Sequence, residues 1–367
     1  MMKSEVYFTD LLTHGKESLP KKLNRLIITA GINKIDFEKK YVAIKMHFGE
    51  PGNLAFLRPN YAKVIVDKVK ELGGKPFLTD CNTLYTGRRK NGLDHLTSAY
   101  ENGFSPFSTG CHIIIGDGLK GTDETLVPIN AQYVKEAKIG TAVMDADVII
   151  SLSHFKGHEA TGFGGAFKNI GMGCGSRAGK MEMHSSGKPR VKKELCVSCG
   201  MCKKNCAHDA IDFVDKKAAI DHNKCVGCGR CIGICNFDAI RQGSDEAIDI
   251  LNCKIAEYTY AVIKDKPSFH INIVVDVSPK CDCYSMNDIP IVPDIGMFAS
   301  FDPVALDKAC ADAVNMQPVI ENSALDLAEH NCEDHFKCIH PGIRWETCLE
   351  HAVKLGMGSM EYKLIRI

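Results

Sequence analysis

The chain carries no surplus of charge: 45 lysines and arginines stand against 45 aspartates and glutamates, a formal net charge of zero. That balance excludes a general pull toward nucleic acid or an anionic membrane and leaves partners to local patches. No apolar run reaches the roughly 18 residues that a membrane span needs. The opening MMKSEVYFTDLLTHGKES also lacks the charged-then-apolar order of a signal peptide. The expectation is a soluble, cytoplasmic protein with no nucleic-acid partner and no membrane insertion. Two nucleotide signatures are missing as well. The glycine-rich run before Lys168 and Asn169 is not G-x4-G-K-[ST], and no G-x-G-x-x-G with an acidic partner follows an opening strand.

Cysteine, in contrast, is abundant, with 18 in 367 residues. Eight of them fall in two copies of one cassette, CVSCGMCKKNCAHDAI from Cys196 to Ile211 and CVGCGRCIGICNFDAI from Cys225 to Ile240. Each copy has the spacing C-x2-C-x2-C-x3-C, which wraps three thiolates around one 4Fe-4S cubane and sends the fourth to the other cluster. The expected ligand sets therefore cross. Cys196, Cys199 and Cys202 with Cys235 would hold one cluster, and Cys225, Cys228 and Cys231 with Cys206 the second. Zinc ribbons use two separated C-x2-C pairs and leave the third and fourth cysteines of each cassette unexplained. A disulfide framework would need an oxidising compartment and usually a short secreted chain.

Around the cassettes, Ala210–Val214 and Ala218–Asp221 flank Asp215-Lys-Lys217 and read as a hairpin with a polar turn. From Lys192 to Arg241 the segment resembles the bacterial two-cluster ferredoxin fold. Proline usually follows the fourth cysteine in that family, and here Ala207 and Asn236 stand in its place. The exchange leaves ligation intact and alters hydrogen bonding near the sulfurs, which tunes cluster potential.

Outside the cassettes, strand-like runs alternate with helical ones. Strands are expected at Tyr41–His47, Pro76–Asp80, His112–Ile115, Val148–Leu152 and His270–Asp276. Helices are expected at Tyr61–Leu72, Leu93–Tyr100, Val134–Met144, Tyr258–Ile263, Val304–Val314 and Glu346–Leu355. This is the α/β signature of a mostly parallel sheet flanked by helices. The expected organisation is one α/β domain formed by residues 1–187 and 244–367, with a small α+β ferredoxin-like insert at 188–243. Gly175 to Lys193 reads as its entry linker and Gly243-Ser244 as its exit.

Three stretches look too polar and glycine-rich for core: Lys45–Glu50; Ser151–His158 with Gly162–Asn169; and Asp276–Cys283 with Pro293–Met297 and Ala299–Pro303. All follow expected strands, and loops at the carboxyl ends of parallel strands gather in one ligand crevice. The stretches VAIKMHFGE, SHFKGH with GFGGAFKNIGMGCGS, and DVSPKCDC with PDIGMFASFDPVALDKA resemble domain-of-unknown-function family 362, whose members are often labelled Fe-S centre proteins. Many members carry the same ferredoxin-like insert, so the resemblance implies electron transfer coupled to an α/β domain.

Lys45, His47, His154, Lys156 and His158 are the candidate catalytic residues. The last three alternate along an extended segment and share a face, where imidazoles beside an ammonium suit a metal or an anionic substrate. Cys281 and Cys283 form a C-x-C pair fit for a further soft metal, completed by Cys174, Cys253 or a histidine. Cys81, Cys111, Cys310, Cys332, Cys338 and Cys348 have no ligating spacing and read as structural. The leading expectation is an oxidoreductase, or a component of one, that relays electrons from a soluble redox partner protein through two 4Fe-4S clusters to a small anionic substrate. A redox-sensing or partner-binding module without turnover is the alternative. A non-redox acid/base enzyme is a third.

Overall fold

The computed structural model describes residues 3–13, 17–84, 87–184, 188–225, 227, 229–242, 248–328 and 333–367. Eight strands form one sheet. In spatial order they are Tyr362–Arg366, Ser4–Asp10, Gly296–Ser300, Ser268–Val274, Val148–His154, Tyr41–Lys45, Lys75–Asp80 and Ile113–Ile115. Gly296–Ser300 runs antiparallel to both neighbours, and the five other pairings are parallel. The strands before and after the cysteine cassettes meet at Val148–His154 and Ser268–Val274, so both parts of the chain build one sheet.

Side chains alternate across this sheet as the two-residue period requires. Ala43, Ile149 and Phe298 face one core, packed against the helices Ile248–Ile263 and Pro303–Asn315. Val42, Ile44, Ile150, Leu152 and Ile271 face the other, packed against Leu19–Thr29 and Pro59–Glu71. With both faces covered, the central strands read as continuous apolar runs. The Pro303–Asn315 helix starts where the Asp302 carboxylate accepts the Val304 and Ala305 N–H groups at 2.8 and 2.9 Å, with proline in the first turn. The Pro59–Glu71 helix stops before Gly73, whose φ of 84° needs no Cβ.

Four expectations are corrected. Val134–Met144 is not a helix: Glu136–Gly140 is a strand paired with Glu124–Pro128, and only Thr141–Asp145 is helical. The apolar spacing there serves tertiary pairing over local propensity. Gly296–Ser300, read as crevice loop, is a fully buried sheet strand. The supposed entry linker contains the helix Arg177–His184, with Ser176 and Arg177 completely buried. The Tyr258–Ile263 helix begins ten residues earlier, at Ile248. The expected exit Gly243-Ser244 and the linker residues 185–187 lie outside the described residues, as does Cys332.

Between these parts, Pro189–Val191 pairs with Ile240–Gln242, and Ile211–Val214 pairs with Lys217–Ile220. The hairpin turn is Asp215-Lys216, with φ of 51° and 59°, the left-handed pair of a two-residue turn that matches strand twist. This small module has its own core of Ile211, Ala218, Ile232, Ala239 and Ile240, joined by Leu84 and Met181 from the larger domain.

Candidate functional site: a cationic cleft beside paired cysteine cavities

The parallel strands Tyr41–Lys45, Lys75–Asp80 and Val148–His154 end on the same side of the sheet, and their last residues open a cleft of about 680 Å³. The three polar stretches meet there. Lys45 and His47 come from the first, His154, Lys156, Lys168 and Asn169 from the second, and Cys281 and Cys283 from the third. Lys45 is buried at the floor, its ammonium 3.0 Å from Asp80 Oδ1 and donating to Asn169 Oδ1 at 2.9 Å. Burial would raise the Asp80 carboxyl, yet Lys45 and His95 hold it well below the usual carboxylate range. Arg89 donates to Glu50 at 2.7 Å and lies 3.7 Å from Asp80.

His154 is bonded at both ring nitrogens. Nδ1 donates to the Asp282 carboxylate at 2.9 Å and Nε2 to the Val275 carbonyl at 2.8 Å. No nitrogen of His154 is left for a metal, so the expected pair of imidazole ligands shrinks to one. Lys156 donates to the His154 carbonyl at 3.1 Å and lies 3.5 Å from Asp282. Against burial, His154 and Lys156 hold Asp282 far below its ordinary range. His47 accepts the Gly49 N–H on Nδ1 at 3.0 Å; burial, then Arg89, keeps its ring neutral.

His158 sits just behind, with Nδ1 accepting the Ala160 and Thr161 N–H groups at 3.0 and 3.2 Å and Nε2 buried without a hydrogen bond, 3.9 Å from the Glu159 carboxylate. Its ring and the sulfurs of Cys281 and Cys283 lie within 4.8 Å of one another, a group that could hold a soft metal ion. Cys174 and Cys253 do not join it. Lys168 donates to Cys281 Sγ at 3.1 Å. A hydrogen bond from Cys283, then Lys168 and Lys156, outweighs burial and pulls the Cys281 thiol well down, while the same bond pushes Cys283 up.

Two N–H groups at the end of the glycine run are taken up within the protein. The N–H groups of Ala166 and Phe167 donate to the buried Asp307 carboxylate at 2.8 and 3.0 Å. A Cβ on Gly171 would strike the Ile255 carbonyl and lie 2.7 Å from Thr259 Oγ1, so this glycine lets the Lys168–Met172 turn lie against the Ile248–Ile263 helix. Asp80, Arg89, Lys180 and His184, also in the cleft lining, were missed. Asp80 had a signal, a lone carboxylate ending a buried strand; Arg89 and His184 had none.

The cassette cysteines line two cavities. Cys196, Cys199, Cys202 and Cys235 surround one of about 330 Å³ with Phe213, Ala218 and Ile240. Cys206, Cys225 and Cys231 surround another of about 350 Å³; Cys228 lies outside the described residues. Backbone N–H groups point at the sulfurs, from Ala218 to Cys196 and from Ala210 to Cys206 at 3.4 Å, and from Gly227 to Cys225 at 3.5 Å. Among the described residues, no three of these sulfurs lie within 4.8 Å of one another.

The small module packs against elements that bound the cleft. Leu84 lines the cleft and also belongs to the module's core. Lys90 donates to the Cys235 carbonyl at 3.2 Å and pairs with Asp238. The buried Arg177 lies so close to Gly229 and Gly233 that a Cβ there would meet its side chain at 2.6 and 2.5 Å. Residues 42–312 match the family model described as Domain of unknown function (DUF362). The chain belongs to the DUF362 family. The matched span runs from the second sheet strand through the small module to the Pro303–Asn315 helix.

No curated protein matches this DUF362 chain. It is similar to the lactate racemase apoprotein from Thermoanaerobacterium thermosaccharolyticum at 12% identity and a TM-score of 0.47, over 89% of this chain and 58% of that one. It is also similar to a structural-genomics protein from Thermotoga maritima at 16% identity and a TM-score of 0.44, over 85% of this chain and 60% of that one. The DUF362 chain thus spans about three-fifths of either. Among the described residues, no helix is long and apolar enough to cross a membrane.

Proposed function

We propose that the small module is a ferredoxin-like insert whose two 4Fe-4S clusters relay electrons from a soluble redox partner to a small anionic substrate in the cleft. The reading makes the protein an oxidoreductase or a component of one. One observation carries it: the two cysteine sets converge on separate cavities with the crossed membership that the cassette spacing demands, and the module's core shares Leu84 with the cleft.

Cys196, Cys199, Cys202 and Cys235 would hold one cluster, and Cys206, Cys225, Cys228 and Cys231 the other. When bound, the clusters supply one-electron transfer at potentials set by burial and hydrogen bonds to sulfur. The chain's own residues do the rest. The N–H groups of Ala210, Ala218 and Gly227 stabilise thiolate charge. In the cleft, Asp80, Glu50 and Asp282 face Lys45, Arg89 and Lys156, and the further charges of Lys168 and Lys180 favour an anion. His47, kept neutral by burial, lines the cleft and can exchange a proton beside it.

Anaerobic purification followed by iron, labile sulfide and redox titration tests the reading. About eight irons, about eight sulfides and uptake of about two electrons per chain are expected. Zinc in place of iron, or iron that accepts no electron, would refute it.

A further inference from the structure

We propose that Cys281 and Cys283 are a redox-active dithiol, cycling with a Cys281–Cys283 disulfide and reducing small anionic disulfides in the cleft. The proposal deepens the relay reading and rests on it only for the source of electrons. Three observations carry it, each in the geometry of the pair.

First, two thiols separated by one residue lie together at the cleft wall, with their sulfurs within 4.8 Å of each other and neither in a disulfide. Closing to the roughly 2.05 Å of an S–S bond asks for side-chain rotation. Second, their surroundings suit a thiolate better than a further cation. The Lys168 ammonium already sits 3.1 Å from Cys281 Sγ, and Lys180 adds a further charge to the lining beyond Lys45, Arg89 and Lys156, which face Asp80, Glu50 and Asp282. Third, the His158 ring is set as a donor. Nδ1 accepts two backbone N–H groups, so the ring hydrogen is on Nε2, which is buried and makes no hydrogen bond, its nearest carboxylate being Glu159 at 3.9 Å. A metal on Nε2 would have to displace that hydrogen and leave an imidazolate, whereas a sulfur anion beside the ring accepts it.

The chemistry balances. Two electrons, arriving singly, and one proton from solvent cleave the Cys281–Cys283 bond into a Cys281 thiolate and a Cys283 thiol. The thiolate attacks one sulfur of the substrate R–S–S–R, forming Cys281–S–S–R and expelling R–S⁻. Cys283 gives its proton to the departing thiolate and attacks Cys281 Sγ, which re-forms the protein disulfide and releases the second R–S⁻. Carboxylates on R would meet Lys156 and Lys180, which explains the cationic lining.

The test uses the full chain with its metal content intact, reduced by dithiothreitol and then freed of it, with dithiobis-nitrobenzoate as the anionic disulfide. Wild type is expected to release about two thionitrobenzoates per chain in a fast phase above background. Cys283→Ser should release about one and keep the other as a mass adduct on Cys281. Cys281→Ser should lose the fast phase, with unchanged iron content showing that it folds. A fast phase that survives in Cys281→Ser would overturn the proposal. So would a zinc ion that copurifies with wild type, is lost in Cys281→Ser and suppresses the fast phase. Recycling by dithiothreitol but not by a light-reduced flavin would sustain the dithiol and overturn the relay, so the two failures are separable.

Discussion

Replacing Cys235 with alanine tests the crossed ligation. Cys235 belongs by sequence to the second cassette, yet its side chain lines the cavity of Cys196, Cys199 and Cys202, while Cys225 and Cys231 line the other cavity with Cys206. Cys235→Ala should therefore remove one cluster, taking iron from about eight to about four per chain. Which cluster is lost follows from double substitutions, because two lesions at one site do not add and lesions at separate sites do. Cys199→Ala combined with Cys235→Ala should hold at about four irons, since both residues serve one cavity. Cys231→Ala combined with Cys235→Ala should fall to near zero. The assay is iron and sulfide analysis after anaerobic reconstitution, with electron paramagnetic resonance of the reduced protein counting clusters. The reverse pattern, near zero for the first pair and about four for the second, would mean that each cassette holds its own cluster, and the crossed reasoning would be wrong.

Other consequences concern the cleft and the core. Lys45→Met removes the ammonium that faces buried Asp80 at 3.0 Å and should cost about 3 kcal/mol in anaerobic denaturant titration; a loss below about 1 kcal/mol would show the pair to be dispensable. Gly171→Ala should cost about 2 kcal/mol or more, because the new methyl group meets the Ile255 carbonyl and Thr259; wild-type stability would show that the helix shifts freely. His270, wholly buried, has its pKa pulled by burial from 6.5 to about 3. The unfolded chain therefore takes up its proton first as the medium is acidified. Stability is intact above pH 6.5 and declines between there and about pH 3, by on the order of 5 kcal/mol from this residue alone. His270→Phe should flatten that acid limb; an unchanged slope would place the sensitivity elsewhere.

The cassettes were legible because ligand spacing is a local property of the chain. The crevice was legible for a related reason. Strand ends such as Lys45 and His154 can be read from an apolar run that breaks into polar residues, and parallel topology brings those ends together. What escaped was non-local. Gly296–Ser300 has too little β character to announce itself and is a strand because Ser4–Asp10 and Ser268–Val274 pair with it on both sides. Arg177–His184 looked like a linker because it is short and polar, yet Arg177 is buried against Gly229 and Gly233, a contact that exists only after the module docks. His154 reads as a ligand from its spacing, but Asp282, 128 residues away, occupies its ring.

An anaerobic crystal structure with anomalous scattering at the iron edge tests the central claim most directly. The account predicts two cubanes, one among Cys196, Cys199, Cys202 and Cys235 and one among Cys206, Cys225, Cys228 and Cys231, with the cleft reached from the nearer cubane through Leu84. Iron at neither cavity, or clusters with bulk solvent between them and every cleft residue, would contradict it.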